Sequence, residues 1–409
     1  MTALIATLRD GTWLTRERMR IAALAVMACT VLVLGFLAVT STRSVDILNR
    51  PLGTDFSSFY AAGSAVLDGR PGTPYDPVLH FAREQALFGP TTQFYGWQYP
   101  PFFLLLATAL ALLPYPLALL VWQAGTLALY LLALRVIVVR GREENAGDRL
   151  WWLLALGFPA VFVNLGHGQN GFLSAALLGL ALIDLDRRPL LAGILFGLLA
   201  YKPQLGVMIP LVLFATGRWR TIAAAAVTVA ALALSVTVLL GTDVWRAFLA
   251  STGFTRTVLL EAGDPGWDKI QTVFSWVRLW GGSTDLAYWV QGAATIAIAV
   301  ALVWLWRSPA RFPLKAAALA IAAVVGAPFS LDYDMTLLAV AIAFLAIDGL
   351  DEGFAPWQKT LLAALWLVPL VARSLGTLHV PIGVITMLVA FAFVVRRAAV
   401  VRRRAQGGV

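Results

Sequence analysis

The chain has 409 residues, of which 60% are hydrophobic and only 13% are charged. Soluble domains carry about 25% charged residues and disordered chains are poor in apolar residues, so both classes are excluded. The formal net charge of +9 is spread between apolar runs, which favours membrane orientation and contact with anionic lipid over nucleic-acid binding. The composition therefore predicts a polytopic membrane protein.

Apolar runs recur along the whole chain. A hydrocarbon core about 30 Å thick is crossed by about 20 helical residues. The sequence predicts an all-α, polytopic integral membrane bundle with about 12 transmembrane helices, some of them short. The predicted spans are residues 21–40, 116–139, 150–165, 171–185, 190–201, 204–216, 221–240, 285–306, 316–331, 336–349, 360–376 and 381–395. A further run, residues 101–113, lies between prolines and is compatible with a half-helix or with a full span.

The distribution of positive charge predicts the orientation. With the N-terminus in the cytosol, most of the 31 Lys and Arg residues, Arg142 among them, fall on the cytoplasmic side. The expected organisation is a cytoplasmic segment of residues 1–20, one transmembrane domain over residues 21–395, and a basic cytoplasmic tail of residues 396–409.

Two outward segments, residues 41–100 and 241–284, are too long to be turns. Loops held by a rigid scaffold often carry its chemistry. Within the first segment, residues 56–68 and 77–88 mix apolar and polar residues at helical spacing, which predicts helices lying along the membrane interface.

Asp55 lies in the first outer loop, directly before the apolar-aromatic stretch FSSFYAAG. A carboxylate at the boundary between water and lipid is partly desolvated, which raises its pKa and suits it to abstract a proton. Asp is also a common helix N-cap, so the same residue could cap a helix that begins at Phe56. Asp68 and Asp76 lie in Gly/Pro-rich contexts and are interpreted as turn residues.

Lys202 is the one charged residue in the stretch LLAGILFGLLAYKPQLGVMIPLVLFA. An ionisable group in such a segment indicates a functional site. Pro203 disfavours helix at the preceding residue, so we expect the helix to break at Lys202. The ammonium and the amide of Gln204 would form a polar pocket able to hold an anion, and we expect Asp55 and Lys202 to face a common chamber. The alternative is that Lys202 extends to the outer interface.

The sequence GHGQN, residues 166–170, forms a polar turn on the same predicted face. His167, Gln169 and Asn170 offer uncharged donors for sugar hydroxyls or phosphate oxygens. The alternative is a simple turn, for which Gly and Asn suffice.

A second short turn contains Asp332, Tyr333 and Asp334. Two carboxylates one residue apart could bind a divalent cation or could simply be solvated, and no third ligand favours the metal. Arg373 and His379, near the outward ends of the last two spans, could contact phosphate or sugar or could extend to the interface.

The order of these motifs resembles glycosyltransferase family 87. The chain has D-F-x-x-F-Y-x-A-G followed by Y-D-P, then Y-P-P, G-Q-N, K-P-Q and a polar turn after P-F-S, over about residues 20 to 395. That family includes polyprenyl-phosphate-mannose-dependent mannosyltransferases and arabinofuranosyltransferases of mycobacterial envelope synthesis. The resemblance implies a membrane fold of the GT-C class with its active site on the extracytoplasmic side.

The resemblance also implies roles for individual residues. Asp55 would be the general base on the acceptor hydroxyl, and the donor phosphate would be bound by Lys202, Gln169 and Asn170. Further substrate contacts are expected from His167, Gln204, Tyr99, Tyr333 and Asp334. The mycobacterial relatives tend to have histidines where this chain has Tyr333 and Asp334.

The expected function is inverting transfer of a mannose- or pentose-like sugar from a polyprenyl-phosphate donor to a hydroxyl of a lipid or glycan acceptor. Membrane lipids are further partners, nucleic acid is not, and neither a cofactor nor a metal is expected. The expected location is a bacterial inner (plasma) membrane. The alternative is a transporter or flippase for an anionic lipid-linked substrate, which predicts polar groups near the bilayer midplane and access from both sides.

Overall fold

The computed structural model describes residues 2–141 and 147–406. Arg142, and residues 407–409 of the predicted basic tail, lie outside the described residues. Within those two ranges the regular structure is helical and no strand forms beyond three isolated β-bridges. The prediction of an all-α protein is confirmed.

Nineteen α-helices are present in the described residues. They are α1 (Thr2–Asp10), α2 (Arg16–Val39), α3 (Phe56–Leu67), α4 (Pro77–Phe88), α5 (Phe102–Ala111), α6 (Tyr115–Gly141), α7 (Leu150–Leu156), α8 (Pro159–His167), α9 (Gly171–Asp184), α10 (Pro189–Leu198), α11 (Met208–Ala215), α12 (Trp219–Leu240), α13 (Asp243–Phe254), α14 (Val273–Leu279), α15 (Thr284–Arg307), α16 (Phe312–Val325), α17 (Leu338–Glu352), α18 (Gln358–Thr377) and α19 (Ile382–Gln406). Short 3₁₀ segments are Thr73–Tyr75, Leu199–Tyr201, Pro203–Gly206 and Asp332–Leu337, and Thr255–Glu261 is a π-helical segment.

Each predicted span contains at least one helix. In the described residues, seven helices are long and apolar enough to cross a membrane, and the pair α7 and α8, bent by 42°, would make an eighth. The remaining predicted spans are helices of 14 residues or fewer, and at about 1.5 Å per residue none of them alone covers the hydrocarbon core. The polytopic helical bundle is confirmed, and the number of about 12 crossings stays a prediction.

The proline-bracketed run 101–113 forms the 10-residue helix α5. At about 1.5 Å per residue, its length is about half the thickness of the hydrocarbon core. Of the two alternatives, a half-helix and a full span, this length matches the half-helix. It packs against α3 at Gly63, where a Cβ atom would lie 2.1 Å from the carbonyl oxygen of Ala107. The absence of a side chain at Gly63 therefore allows the two backbones to approach closely.

The two helices predicted in the first outer loop, residues 56–68 and 77–88, are α3 and α4. Asp76 caps α4, because its Oδ1 accepts hydrogen bonds from the backbone N–H groups of Val78 and Leu79. Ser58 of α3 and His80 of α4 are hydrogen-bonded at 2.9 Å, which fixes the second helix against the first.

The core lies around α9, α16 and α17, in which most residues are buried. By contrast, the membrane-length helices α2 and α12 expose large apolar side chains along most of their surface, such as Val31, Leu32 and Val238. An apolar outer surface of this kind is expected where helices face lipid.

The second outer loop is joined to the late turn by backbone pairing. Ile270 and Leu331 form an isolated antiparallel bridge. The N–H of Gln271 donates to the carbonyl of Ser330 at 2.8 Å, and the N–H of Asp332 donates to the carbonyl of Lys269 at 3.0 Å. This pairing brings two segments about sixty residues apart in sequence to the same end of the bundle.

Candidate active site

Asp55 occupies the N-cap position of α3, but its side chain makes no capping hydrogen bond. Its Oδ2 accepts a hydrogen bond of 2.9 Å from Nε2 of Gln169. Its Oδ1 lies 3.5 Å from Nδ1 of His167, and its Oδ2 lies 4.0 Å from Nζ of Lys269. The capping alternative is therefore wrong: the carboxylate faces groups from two other segments of the chain.

The GHGQN turn ends α8 and contacts the first outer loop. Gly168 has a φ of +61°, and a Cβ atom there would lie 2.6 Å from Cβ of Phe56. Only glycine fits both the left-handed conformation and this close approach. The carbonyl of Gly168 accepts a 2.9 Å hydrogen bond from the indole N–H of Trp122 on α6, so the turn is held from both sides.

Tyr99 supports Asp55 through Gln169, whereas Asn170, the last residue of the turn, does not contact the carboxylate. The hydroxyl of Tyr99 donates to Oε1 of Gln169 at 3.1 Å, which orients the Gln169 amide so that its Nε2 faces the carboxylate. Asn170 is fully buried, and within the described chain neither atom of its side-chain amide has a hydrogen-bond partner. A buried amide without partners is costly unless a ligand or water satisfies it.

Lys202 lies where the helix breaks, as predicted. It separates the 3₁₀ segments Leu199–Tyr201 and Pro203–Gly206, between α10 and α11. Its ammonium is hydrogen-bonded to Oδ1 of Asp334, and both side chains are almost fully buried. The alternative that Lys202 extends to the interface is wrong, since its charge is neutralised inside the protein.

Asp334 uses both carboxylate oxygens, because its Oδ2 accepts a 3.0 Å hydrogen bond from the N–H of Leu331. Asp332 is 3% and Asp334 1% exposed, so the alternative that these carboxylates are solvated is wrong. In the described parts of the chain, no three or more His, Cys, Asp or Glu residues are grouped so that they could hold a metal ion.

Tyr333 lies between the two lysines of the site. Its ring centroid is 4.6 Å from Nζ of Lys202 and 5.9 Å from Nζ of Lys269, and the ring also packs edge-on near His167 at 6.1 Å between centroids. The ring of Tyr333 is thus near the ammonium of Lys202 and near two neighbours of Asp55, Lys269 and His167. The structure brings Asp55 and Lys202 to the same end of the bundle.

Two residues of this cluster, Lys269 and Thr54, were not predicted from the sequence. Lys269 reaches Asp55 because the bridge between residues 270 and 331 places it there. Thr54 has its hydroxyl 2.9 Å from Nδ1 of His167. A signal for Lys269 was present in the sequence, since the chain has only four lysines and this one alone lies in a predicted outer loop.

Other predicted residues lie outside the cluster. Gln204 is half-buried and forms no side-chain hydrogen bond with the described part of the site. Arg373 pairs with Asp268 at 3.3 Å, and His379 has a φ of +63° at an exposed turn. A cavity of about 600 Å³, lined by Arg256, Glu261, Thr284, Asp285 and Tyr288, includes none of the predicted site residues.

The electrostatics of Asp55 differ from the expectation. Burial alone would raise the pKa of Asp55, but the ammonium of Lys269, the ring of His167 and the amide of Gln169 outweigh burial and hold the pKa well below its usual range. The expectation of a raised pKa is wrong because the carboxylate is surrounded by groups that favour its charged form. Asp55 is therefore ionised at neutral pH, but in this arrangement it is a weak base.

The family model of glycosyltransferase family 87 matches residues 97–330, more than half of the chain. The chain belongs to this family. It is therefore a glycosyltransferase, and its substrates are a sugar donor and an acceptor. The matched region of this family 87 chain contains Gln169, Asn170, Lys202 and Lys269, whereas Asp55 precedes it and Tyr333 and Asp334 follow it. No curated protein and no solved structure matches the chain.

Proposed function

We propose that this family 87 glycosyltransferase moves a mannose- or pentose-like sugar from a polyprenyl-phosphate donor to a hydroxyl of a lipid or glycan acceptor. The transfer is inverting, and Asp55 is the general base. The protein crosses a bacterial inner (plasma) membrane about 12 times, with residues 1–20 and 396–409 in the cytosol and the active site on the extracytoplasmic side.

One observation carries the proposal. Asp55 stands at the start of α3 without capping it, and the side chains around its carboxylate come from the first outer loop, the GHGQN turn and the second outer loop. Its side chain is 16% exposed, and those of His167 and Lys269 are 18% and 12% exposed, so a substrate can reach them. An accessible, ionised carboxylate can act as a general base on a bound hydroxyl once the neighbouring ammonium no longer lowers its pKa.

The chemistry follows from this arrangement. The acceptor hydroxyl gives its proton to Asp55 while its oxygen attacks the anomeric carbon of the donor. The bond between that carbon and the phosphate oxygen breaks, and polyprenyl phosphate leaves with the electron pair. Negative charge grows on the leaving phosphate, so positioned cations and amide donors stabilise the transition state more than the ground state.

We assign the surroundings of the donor phosphate to Lys202, Gln169 and Asn170, and further substrate contacts to His167, Gln204, Tyr99, Tyr333 and Asp334. The unpartnered amide of Asn170 supports this, because a sugar or phosphate oxygen would satisfy it. For Lys202 to bind the donor phosphate, the phosphate must either displace Asp334 from the ammonium or bind the ammonium while Asp334 stays paired with it.

The first experiment supplies purified protein with several polyprenyl-phosphate sugars and measures sugar transfer and release. Asp55→Asn should abolish transfer while the protein is still expressed and still binds donor. Asp68→Asn is the matched control, because this carboxylate is in the same outer loop but is exposed and pairs with Arg70 and Arg83. Full activity of Asp55→Asn would remove Asp55 from the mechanism.

We further propose that the reaction needs no metal or other cofactor. Prolonged treatment of the protein with EDTA should then leave the transfer rate unchanged, and a rate restored by one added divalent cation would contradict this.

A further inference from the structure

The two lysines of the site differ in how their charges are held. Lys202 is fully engaged by Asp334, and its side chain is 3% exposed. The Nζ of Lys269 lies 4.0 Å from Asp55, at the outer limit of an ion pair, and its side chain is 12% exposed. Within the described chain, Asp55 is the only carboxylate with which Lys269 forms an ion pair. Lys269 is thus the accessible and loosely held cation.

The backbone of Lys269 is fixed while its side chain can move. Its N–H donates to the carbonyl of Gly266 and its carbonyl accepts from the N–H of Asp332, both at 3.0 Å. A lysine ammonium on a flexible four-carbon stem can exchange one anionic partner for another without movement of the backbone. The second outer loop therefore presents a partly exposed and loosely paired ammonium to Asp55.

Several charged and titratable groups face Asp55 or its immediate neighbours. Lys269 comes from the second outer loop, His167 from the turn after α8, and Lys202 from the break between α10 and α11. The others are Glu84, Tyr95, Tyr99, Asp332, Tyr333, Asp334 and, beyond Asp332, Arg373. Among the groups that this part of the structure describes, Lys269 is the cation nearest to Asp55.

We propose that Lys269 couples donor binding to proton abstraction: the donor phosphate takes the ammonium of Lys269 from Asp55 and so leaves Asp55 free to accept the proton of the acceptor. This inference rests on the proposed function. A phosphodiester of the donor type is an anion at neutral pH, and it competes with the carboxylate for the same ammonium. In the protein without donor, Asp55 is a poor base; with donor bound, the positive charge lies beside the leaving group, where the transition state needs it.

Binding measurements test the coupling without reference to activity. In this proposal the Asp55 carboxylate and the donor phosphate compete for the ammonium of Lys269, and such coupling is reciprocal. Removing the carboxylate in Asp55→Asn should therefore tighten donor binding by about fivefold or more. In the Lys269→Gln background the same Asp55→Asn change should leave the donor Kd unaltered. The ligand is the polyprenyl-phosphate sugar that the wild-type protein uses. Equal effects of Asp55→Asn in both backgrounds would overturn the proposal.

Kinetics provide a second and independent test. Lys269→Gln should raise the donor KM by about tenfold or more. It should also move the acid limb of the pH profile of kcat/KM to higher pH by about one unit or more, because an ammonium that favours the ionised Asp55 is lost. Lys269→Arg keeps the charge and should restore most of both properties. Lys359→Gln, a lysine that lies over Phe354 away from the site, is the control and should change neither.

The outcomes separate this inference from the proposed function. If the wild-type protein transfers sugar from a polyprenyl phosphate but Lys269→Gln keeps the donor KM and pH profile of the wild type, the coupling is wrong and the function stands. If the wild-type protein uses no polyprenyl-phosphate sugar, the proposed function itself fails.

Discussion

Replacing Lys202 by Met should destabilise the protein strongly, because it leaves Asp334 buried without its counter-ion. The two side chains are 3% and 2% exposed. In the variant, Oδ1 of Asp334 would lose its partner, while Oδ2 would keep its hydrogen bonds from the Leu331 N–H and the Ser330 hydroxyl. Breaking a buried ion pair on one side costs about 3–5 kcal/mol.

The double variant Lys202→Met with Asp334→Asn removes both charges, and the Asn oxygen can still accept from Leu331. We expect it to recover most of the stability that either single variant loses, since removing both partners of a buried pair is often close to neutral. The measurement is the apparent Tm of the purified protein in detergent for all four members of the cycle. Arg246→Met is the control: its pair with Asp243 has side chains 81% and 87% exposed, and such pairs contribute little.

If the double variant loses as much stability as the two single variants together, Lys202 and Asp334 do not act as one buried unit. Sugar transfer by the double variant then decides the role of Lys202. A stable but inactive double variant supports contact between Lys202 and the donor phosphate. A stable and active one makes the ion pair structural and removes Lys202 from the phosphate site.

Three further variants test other parts of the structure. Gly168→Ala should lower the free energy of unfolding by at least about 1–2 kcal/mol and remove most activity, because Gly168 has a φ of +61° and an added Cβ would lie 2.6 Å from Cβ of Phe56. Gly125→Ala is the control: this glycine has open space around it, so the Tm should stay unchanged or rise. Glu84→Gln should raise the apparent Tm at pH 8 but not near pH 4.5. Burial raises the pKa of Glu84 from 4.5 to about 9, so the native protein keeps a proton that the unfolded chain releases, and wild-type stability falls as pH rises across this range. Asp76→Ala should cost about 1 kcal/mol through loss of the α4 cap while kcat stays at the wild-type value; a lost kcat would show that Asp76 has a role beyond capping.

The fold could be predicted from local patterns to a large extent. Apolar runs located the membrane helices, Pro203 located the break at Lys202, and the mixed stretches located α3 and α4. Helix lengths were harder, because packing inside the protein allows short helices such as α5 and α11, which hydropathy alone cannot distinguish from full spans. Gly63 is an example: its lack of a side chain allows α3 to pack closely against α5, which is about forty residues away in sequence.

The candidate site could be predicted only in part. Residues that were unusual in their own surroundings, such as Asp55 and Lys202, stood out in the sequence. Their pairings were not predicted: Lys269 was missed, and Asp334 was expected to contact substrate rather than Lys202, because both pairings join distant segments of the chain. The pKa of Asp55 was predicted in the wrong direction for the same reason, since burial is suggested by local sequence but a neighbouring ammonium is not.

The late turn neutralises one of the two lysines of the site. Asp334 supplies a carboxylate directly to Lys202, and Tyr333 lies against that ammonium. A buried lysine with its own counter-ion attracts an incoming anion much less than an unpaired one would, because the field of the pair falls off faster than that of a single charge. We therefore expect the proposed anionic donor, approaching from the solvent-exposed side, to meet Lys269 and His167 before Lys202. Because the late turn already pairs Lys202, the first electrostatic contact in the proposed reaction would come from the second outer loop.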